Sequence, residues 1–386
     1  LLSFRTTLII LLTLSACPSF ATDELLDAGR TASIDFILEK GITNGLIAGG
    51  VVVIGNHKDI LFSTSHGKLN SRLDAPVLSE RTIFDIASLT KVFATAPALM
   101  KLLEERRISL VDPITRWFPE FGGSGLESIT ILNLLTHSSG LEDIAISNDE
   151  PIRTIMQRVA LQKNGKMPGS RFHYADINFI LLGELVQRVT GLSLDRYCQD
   201  RFYNLLGMSD TLFLPPKELA VNIAPTLGPG RLLVAGIVQD ENARHLGGVA
   251  GHAGLFSSAS DMVHFIQMML GGGILNGKQI FSEQVVTQMT VPYFYNNGKV
   301  IRGLGWDIYS PFSAPKTSSF SDMSFGHTGY SGSSIWIDPQ RDLFVIMLTT
   351  RLDYRVKKFN RLRSDISTLA VSIFSNRNEG TLFQSR

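Results

Sequence analysis

Hydrophobic and polar positions change rhythm twice along the chain, and the changes predict its layout. Residues 25–40 carry apolar side chains at a helical period and predict an amphipathic helix. Residues 49–55 (GGVVVIG) and 60–67 read as two strands, joined by a turn at 56–59 (NHKD). Residues 88–106 are apolar nearly all round, which predicts a buried helix with a kink at Pro97. From about 112 to 296 the rhythm is helical with many loops, and it is clearest at 129–135, 152–162, 177–190, 195–206 and 260–270. Beyond Arg302, strand patterns return at 305–309, 323–327, 333–338 and 343–350, and an amphipathic helix follows over 357–374. Strands at both ends with helices between them predict an α/β plus α fold. A discontinuous α/β domain takes residues 24–111 and 300–386, and an all-helical insertion takes 112–299.

The first 21 residues read as an address. Arg5 forms a sparse basic start, residues 8–14 are apolar, and Ser19-Phe20-Ala21 is a small-x-small cleavage signal. A second signal overlaps it: Leu14-Ser15-Ala16-Cys17 resembles a bacterial lipobox, which makes Cys17 a lipidation candidate. The alternative is that Cys17 leaves with the signal peptide. Either way the expected location is periplasmic or secreted, with membrane attachment only through an N-terminal lipid anchor.

Composition narrows the classes. Thirty-six basic and 35 acidic residues give a net charge of +1, which leaves no electrostatic footprint for nucleic acid. A chain that is 44% hydrophobic and 18% charged has material for a large core and is unlike a disordered one. Two cysteines make no disulfide framework, and Cys198, in a helical pattern, reads as a buried structural thiol.

The chemistry starts from a serine and a lysine three residues apart. A serine hydroxyl is a weak nucleophile until a base takes its proton. Ser-x-x-Lys on a helix puts both side chains on one face, and the helix start favours developing negative charge. Lysine serves as that base only if its pKa is lowered. Three Ser-x-x-Lys matches occur, beginning at Ser65, Ser88 and Ser313. The first ends a strand at a glycine and the third lies in a proline-containing polar loop, so context selects Ser88 and Lys91.

The segment Phe84-Asp85-Ile86-Ala87-Ser88-Leu89-Thr90-Lys91 resembles the nucleophile motif of the serine β-lactamase and penicillin-binding-protein superfamily, in its class C-like branch. Four further segments resemble that family in order: ITILNLLTHSSGL at 129–141, FHYADINFILLG at 172–183, GGVAGHAGLFS at 247–257 and GHTGYSG at 326–332. The resemblance implies a β-lactamase/transpeptidase-like fold with an antiparallel sheet flanked by helices. It implies Tyr174 as a second proton-transfer group and the backbone N–H groups of Ser88 and Tyr330 as an oxyanion hole. It places His327, Thr328 and Gly329 where the family carries a Lys-Thr-Gly strand, in contact with substrate. Asp176 stands where Asn is commonest. An ionised Asp only accepts hydrogen bonds, so it would not donate to a substrate carbonyl, whereas it would hold Lys91 protonated and shift the base role towards Tyr174. His327 is not assured of a charge at neutral pH, unlike the lysine it replaces.

Other matches are set aside. GGILNGK at 272–278 lacks the Ser or Thr of a phosphate-binding loop, and ELAVN at 218–222 sits beside Pro215-Pro216 out of its family context. His245 and His252 lie in a glycine-rich loop without zinc-ligand spacing, and His137 and His173 read as hydrogen-bonded loop residues. No metal and no cofactor are expected. The reading is a serine hydrolase acting through an acyl-enzyme on a peptidoglycan-type peptide or a small acyl substrate, foremost as a D-alanyl-D-alanine-type carboxypeptidase. A class C-like β-lactamase or an esterase is the alternative on the same fold. A non-catalytic penicillin-binding envelope lipoprotein or sensor is the alternative of another class.

Overall fold

Eight strands make one antiparallel sheet, in the order Phe294–Asn296, Val300–Arg302, Asp307–Tyr309, Phe325–Thr328, Ser334–Asp338, Leu343–Arg351, Ile47–Gly55 and Ile60–Gly67. They belong to a computed structural model that describes residues 20–162, 167–296, 300–312 and 316–375. Residues 1–19, which hold Cys17 and most of the predicted leader, lie outside the described residues, as does most of the Ser313 match.

The middle strands Ile47–Gly55, Ser334–Asp338 and Leu343–Arg351 are buried at every position because both faces are covered. Along Ile47–Gly55, Val51 and Val53 point into one core while Val52 and Ile54 point into the other. Along Leu343–Arg351, Phe344, Ile346 and Leu348 join the first core and Val345 and Met347 the second. The pairing Val51↔Leu348 and Val53↔Ile346 keeps the two strands in phase. The second core is closed by the terminal helices Phe20–Thr43 and Val356–Phe374 through Ile34, Leu38, Phe359 and Ile366. The first core joins the sheet to the central helices without a break, from Val51 through Phe93 to Leu181. The central region therefore shares its core with the sheet.

The region 112–299 departs from the all-helical expectation. The predicted helices are present, as Ile131–Leu135, Ile152–Ala160, Ile177–Thr190, a helical run from Leu194 to Leu206, and Ala259–Leu270. Short strands lie among them, however. Leu255–Ser258 pairs antiparallel with Leu212–Phe213 and with Ile83–Asp85, and Ile83–Asp85 pairs parallel with Ile223–Ala224. Strands of two residues are too short to show alternation, and Leu255–Ser258 is buried throughout, so the signal was absent. Phe294–Asn296 is an edge strand of the large sheet, so the sheet begins inside the span assigned to the insertion.

The helix predicted over 88–106 is also more broken than expected. A 3₁₀ turn, Ala87–Leu89, leads through a π-helical turn, Lys91–Thr95, into the α-helix Ala96–Glu104. The irregularity lies upstream of Pro97, which sits in the first turn of the α-helix. Proline has no N–H to offer the Phe93 carbonyl one turn back, and the Tyr203 hydroxyl donates to that carbonyl at 2.9 Å. Cys198 is buried as expected, and burial pushes its thiol pKa well up. Among the described residues no single helix is long and apolar enough to cross a membrane.

Candidate active site

Ser88 sits where the short strand Ile83–Asp85 turns into the helix, and the turn is strained. Ala87 adopts φ 48°, a left-handed conformation unfavourable for a residue with a Cβ. It is held there by its N–H, which donates to Asp85 Oδ1 at 2.8 Å. The other Asp85 oxygen accepts from the Gln239 N–H at 2.7 Å. Burial raises the Asp85 pKa to about 6 against these two bonds.

From this turn Lys91 reaches back, and its ammonium donates to Ser88 Oγ at 3.0 Å and to the His252 carbonyl at 3.1 Å. Its side chain is wholly buried, and its nitrogen lies 2.7 Å from Asp176 Oδ1 and 5.1 Å from the centre of the Tyr174 ring. Burial opposes the charge, yet Asp176 and Tyr174 outweigh it and hold the Lys91 pKa above its ordinary value. Asp176 thus holds Lys91 protonated, and the lysine lacks the lowered pKa that a basic role would require: at neutral pH Lys91 is an ammonium. The Asp176 pKa is lowered, because Lys91 and His252 overcome the cost of burial. Asp176 is thus directed at Lys91, and its side chain is 29% exposed.

Tyr174 enters from the loop before the helix Ile177–Thr190, whose first N–H is fixed by Asp143 Oδ1 at 2.9 Å. Its ring stacks on His137 at 4.3 Å and packs against Phe312 at 4.9 Å and His327 at 6.2 Å. His327 lies on the strand Phe325–Thr328 and its Nδ1 is 2.9 Å from the Thr328 carbonyl. Burial, with the nearby Arg302 and Lys91 cations, lowers its pKa well below the ordinary value, so the imidazole is neutral.

The turn after this strand is bolted to the Ser88 turn. Ser331 Oγ donates to the Asp85 carbonyl at 2.6 Å and Ser333 Oγ to the Ile86 carbonyl at 2.9 Å. A Cβ on Gly329 would fall 2.5 Å from the Ile86 carbonyl, so only glycine permits the approach. Ser88, Tyr174, His327, Thr328, Gly329 and Tyr330 line one cleft of about 350 Å³. Three distant segments of the sequence thus meet here, with Lys91 on Ser88 Oγ and Asp176 on Lys91, together with the expected backbone positions at Ser88 and Tyr330.

Several residues of the cleft carried no sequence signal. Arg302, Asp307, Arg351, Asn360 and Arg363 line it as well. Arg302 and Asp307 form a buried pair at 3.3 Å. His252, which its loop spacing argued against as a ligand, belongs to the site: its carbonyl holds Lys91, and its Nε2 lies 2.8 Å from Asp240 Oδ1. One ligand atom each from Asp176, Asp240 and His252 fall within 4.8 Å of one another. The set has the donors for a cation, but the Lys91 ammonium already stands on the Asp176 oxygen. His173 is a surface residue 3.2 Å from Glu142, as a loop residue should be.

Residues 34–368 match the family model described as Beta-lactamase. A protein of Escherichia coli (strain K12) named "Putative D-alanyl-D-alanine carboxypeptidase" is 31% identical over 327 residues, covering 72% of this chain and 73% of its own length. Among solved structures, a class C beta lactamase superposes with a TM-score of 0.73 at 19% identity, over 89% of this chain and 98% of its own. "EstCE1, a hydrolase with promiscuous acyltransferase activity" superposes with a TM-score of 0.72 at 20% identity, over 90% of this chain and 100% of its own. The octameric penicillin-binding protein homologue of Pyrococcus abyssi gives 0.68 at 23% identity, over 88% and 77%. The five motifs, the sheet with its covered faces and the matched span agree, and the chain belongs to the beta-lactamase family.

Proposed function

We propose that the protein is a serine hydrolase that cleaves D-alanyl-D-alanine-type peptides as a carboxypeptidase, outside the cytoplasm. The observation that carries the reading is the Lys91 ammonium placed 3.0 Å from Ser88 Oγ and close against Tyr174, in a cleft that also presents the Thr328-Gly329-Tyr330 backbone. The name of the E. coli relative supports the choice of peptide, and the apolar leader with its Leu14-Ser15-Ala16-Cys17 segment supports the location.

Ser88 Oγ attacks the carbonyl of the penultimate residue. Its proton leaves to the Tyr174 oxygen, which takes it as a phenolate, because Lys91 is already protonated and has no lone pair to offer. The Lys91 ammonium steadies negative charge on both oxygens as the proton moves between them. The backbone N–H groups of Ser88 and Tyr330 receive the oxyanion. The C–N bond then breaks, Tyr174 returns the proton to the departing D-alanine amine, and water releases the acyl group from Ser88.

The test is a side-by-side assay of a D-Ala-D-Ala peptide, nitrocefin and p-nitrophenyl acetate, with Ser88→Ala as control. Peptide cleavage that vanishes in Ser88→Ala is expected. Ester hydrolysis without peptide cleavage, or rapid nitrocefin turnover without it, would replace the carboxypeptidase reading by esterase or β-lactamase. Fluorescent penicillin still bound by Ser88→Ala would refute the nucleophile.

A further inference from the structure

Resting on the reading of Tyr174 as the proton-transfer group, we infer that His137 is the residue that positions it, by gripping the chain on both sides of the phenol and the ring itself. Three contacts define the grip. The His137 carbonyl accepts the His173 N–H at 2.8 Å. The His137 Nδ1 accepts the Ala175 N–H at 3.3 Å. Between these two bonds the imidazole stacks on the Tyr174 ring, with centroids 4.3 Å apart and planes inclined by 25°. One residue thus fixes the backbone before Tyr174, the backbone after it and the plane of the ring.

The local chemistry is set for this task. Residues 171–175 have no regular secondary structure, so no helix or sheet ladder orients Tyr174. His137 takes up φ 54°, a conformation in which histidine is among the better-tolerated residues, and this turns carbonyl and side chain to the same segment. The Asn178 side-chain nitrogen lies 3.4 Å from Nδ1, and the Phe179 ring stands 5.1 Å from the imidazole, so the ring has packed neighbours besides Tyr174. With Nδ1 accepting the Ala175 N–H, the proton of the neutral ring resides on Nε2, which is buried and has no hydrogen-bond partner among the described residues. A protonated ring would lose the bond to Ala175. Burial and the Arg302, Lys91 and His327 groups facing it keep the imidazole uncharged. An unsatisfied buried donor disfavours folding, so stability alone gives no reason for imidazole rather than an apolar ring here.

His137 touches no reacting atom and is a positioning residue. Its loss moves the phenol relative to Ser88 while leaving substrate contacts at Thr328 and Gly329 in place. A misplacement of the order of 1 Å costs about 10²-fold in rate. Two variants separate the contacts: His137→Phe keeps a stacking ring and removes the acceptor, and His137→Asn keeps an acceptor near Nδ1 and tolerates positive φ. Steady-state kinetics on p-nitrophenyl acetate would be run with active sites titrated by fluorescent penicillin, so that misfolded protein is not counted, and with Tyr174→Phe in parallel.

The expected result is a kcat lowered about 10²-fold in His137→Phe with KM within about threefold of wild type, and a recovery of about tenfold in His137→Asn. A kcat per titrated site unchanged in His137→Phe while Tyr174→Phe is strongly impaired overturns the inference and leaves the role of Tyr174 standing. Equal loss in both His137 variants assigns the effect to packing and also overturns it. An unimpaired Tyr174→Phe overturns the role of Tyr174 and, with it, that of His137. If His137→Phe does not fold, His137→Asn decides alone: a kcat within about tenfold of wild type supports the acceptor role, and a loss of about 10²-fold refutes it.

Discussion

Replacing Asp176 by Asn tests the charge state of the site directly. The carboxylate lies 2.7 Å from a fully buried ammonium and is itself 29% exposed. Removing one partner of a fully buried pair costs about 3–5 kcal/mol, because the other charge is left without compensation. Partial solvent access on the Asp176 side reduces this, so a loss of about 2–3 kcal/mol is expected at pH 7. Without the anion, burial of Lys91 is less opposed and its pKa falls from the raised value. The pH dependence has a definite sign. A carboxylate with a lowered folded pKa contributes stability that is complete above its unfolded pKa of about 3.9 and is lost as pH falls through the folded value. A lysine with a raised pKa contributes below its unfolded value of about 10.4 and loses that contribution only as pH rises through the folded one. The gap between wild type and Asp176→Asn should therefore be flat between about pH 5 and 9 and shrink only below about pH 4. Urea denaturation across that range measures it. A gap under about 0.5 kcal/mol at pH 7, or one that closes between about pH 7 and 5, would refute the buried pair.

Tyr174→Phe should lower kcat by about 10²–10⁴-fold on peptide and ester alike, read by stopped assays at saturating substrate, with thermal stability near wild type. Gly329→Ala should impair both folding and acylation, since its Cβ would meet the Ile86 carbonyl at 2.5 Å and would clash with Ser333 Oγ; a variant with wild-type penicillin labelling would show that the turn can give way. Arg302→Met strands the buried Asp307 carboxylate and should cost about 3–5 kcal/mol, most of it recovered in Arg302→Met/Asp307→Leu, as denaturation of the two variants would show. Because the His327 pKa is well below its ordinary value, the folded state binds fewer protons there than the unfolded one; stability should rise with pH up to about 6.5, and His327→Gln should flatten that slope in a pH series of melting temperatures.

Long elements with a clear period were legible from the sequence. The helix Ile177–Thr190 coincides with its expected limits because its apolar spacing is sustained and Gly191, at φ 76°, ends it. The sheet strands were legible as apolar runs, while the alternation that assigns each face was hidden by burial on both sides. At the site, Ser88, Tyr174 and His327 stood out through their neighbours in sequence. His137 and His252 did not, since their contacts are made with chain segments remote in sequence. The charge of Lys91 was legible through Asp176, an acceptor-only residue two positions after Tyr174, although only the fold brings its carboxylate to 2.7 Å from the ammonium.

These contacts distribute charge in the cleft unevenly, and the distribution bears on substrate choice. The His327 position, where the family strand carries lysine, holds a neutral ring. It is neutral because it is buried and because Arg302 and Lys91 are already cations nearby. Lys91 is neutralised in turn by Asp176, and Arg302 by Asp307. That leaves Arg351 and Arg363, which line the same cleft and form no ion pair with a carboxylate among the described residues. Their guanidinium groups donate to backbone carbonyls, Arg351 to Tyr330 at 2.7 Å and Arg363 to Gly329 at 2.6 Å. Burial and Arg351 lower the Arg363 pKa to about 9, which still leaves it charged at neutral pH. A substrate carboxylate entering the cleft therefore meets uncompensated positive charge from these two arginines, and that charge is rooted in the turn that carries the Tyr330 backbone. An ester without a carboxylate gains nothing from it. Selectivity for a C-terminal carboxylate should accordingly persist across the pH range in which a histidine at the strand would have lost its charge.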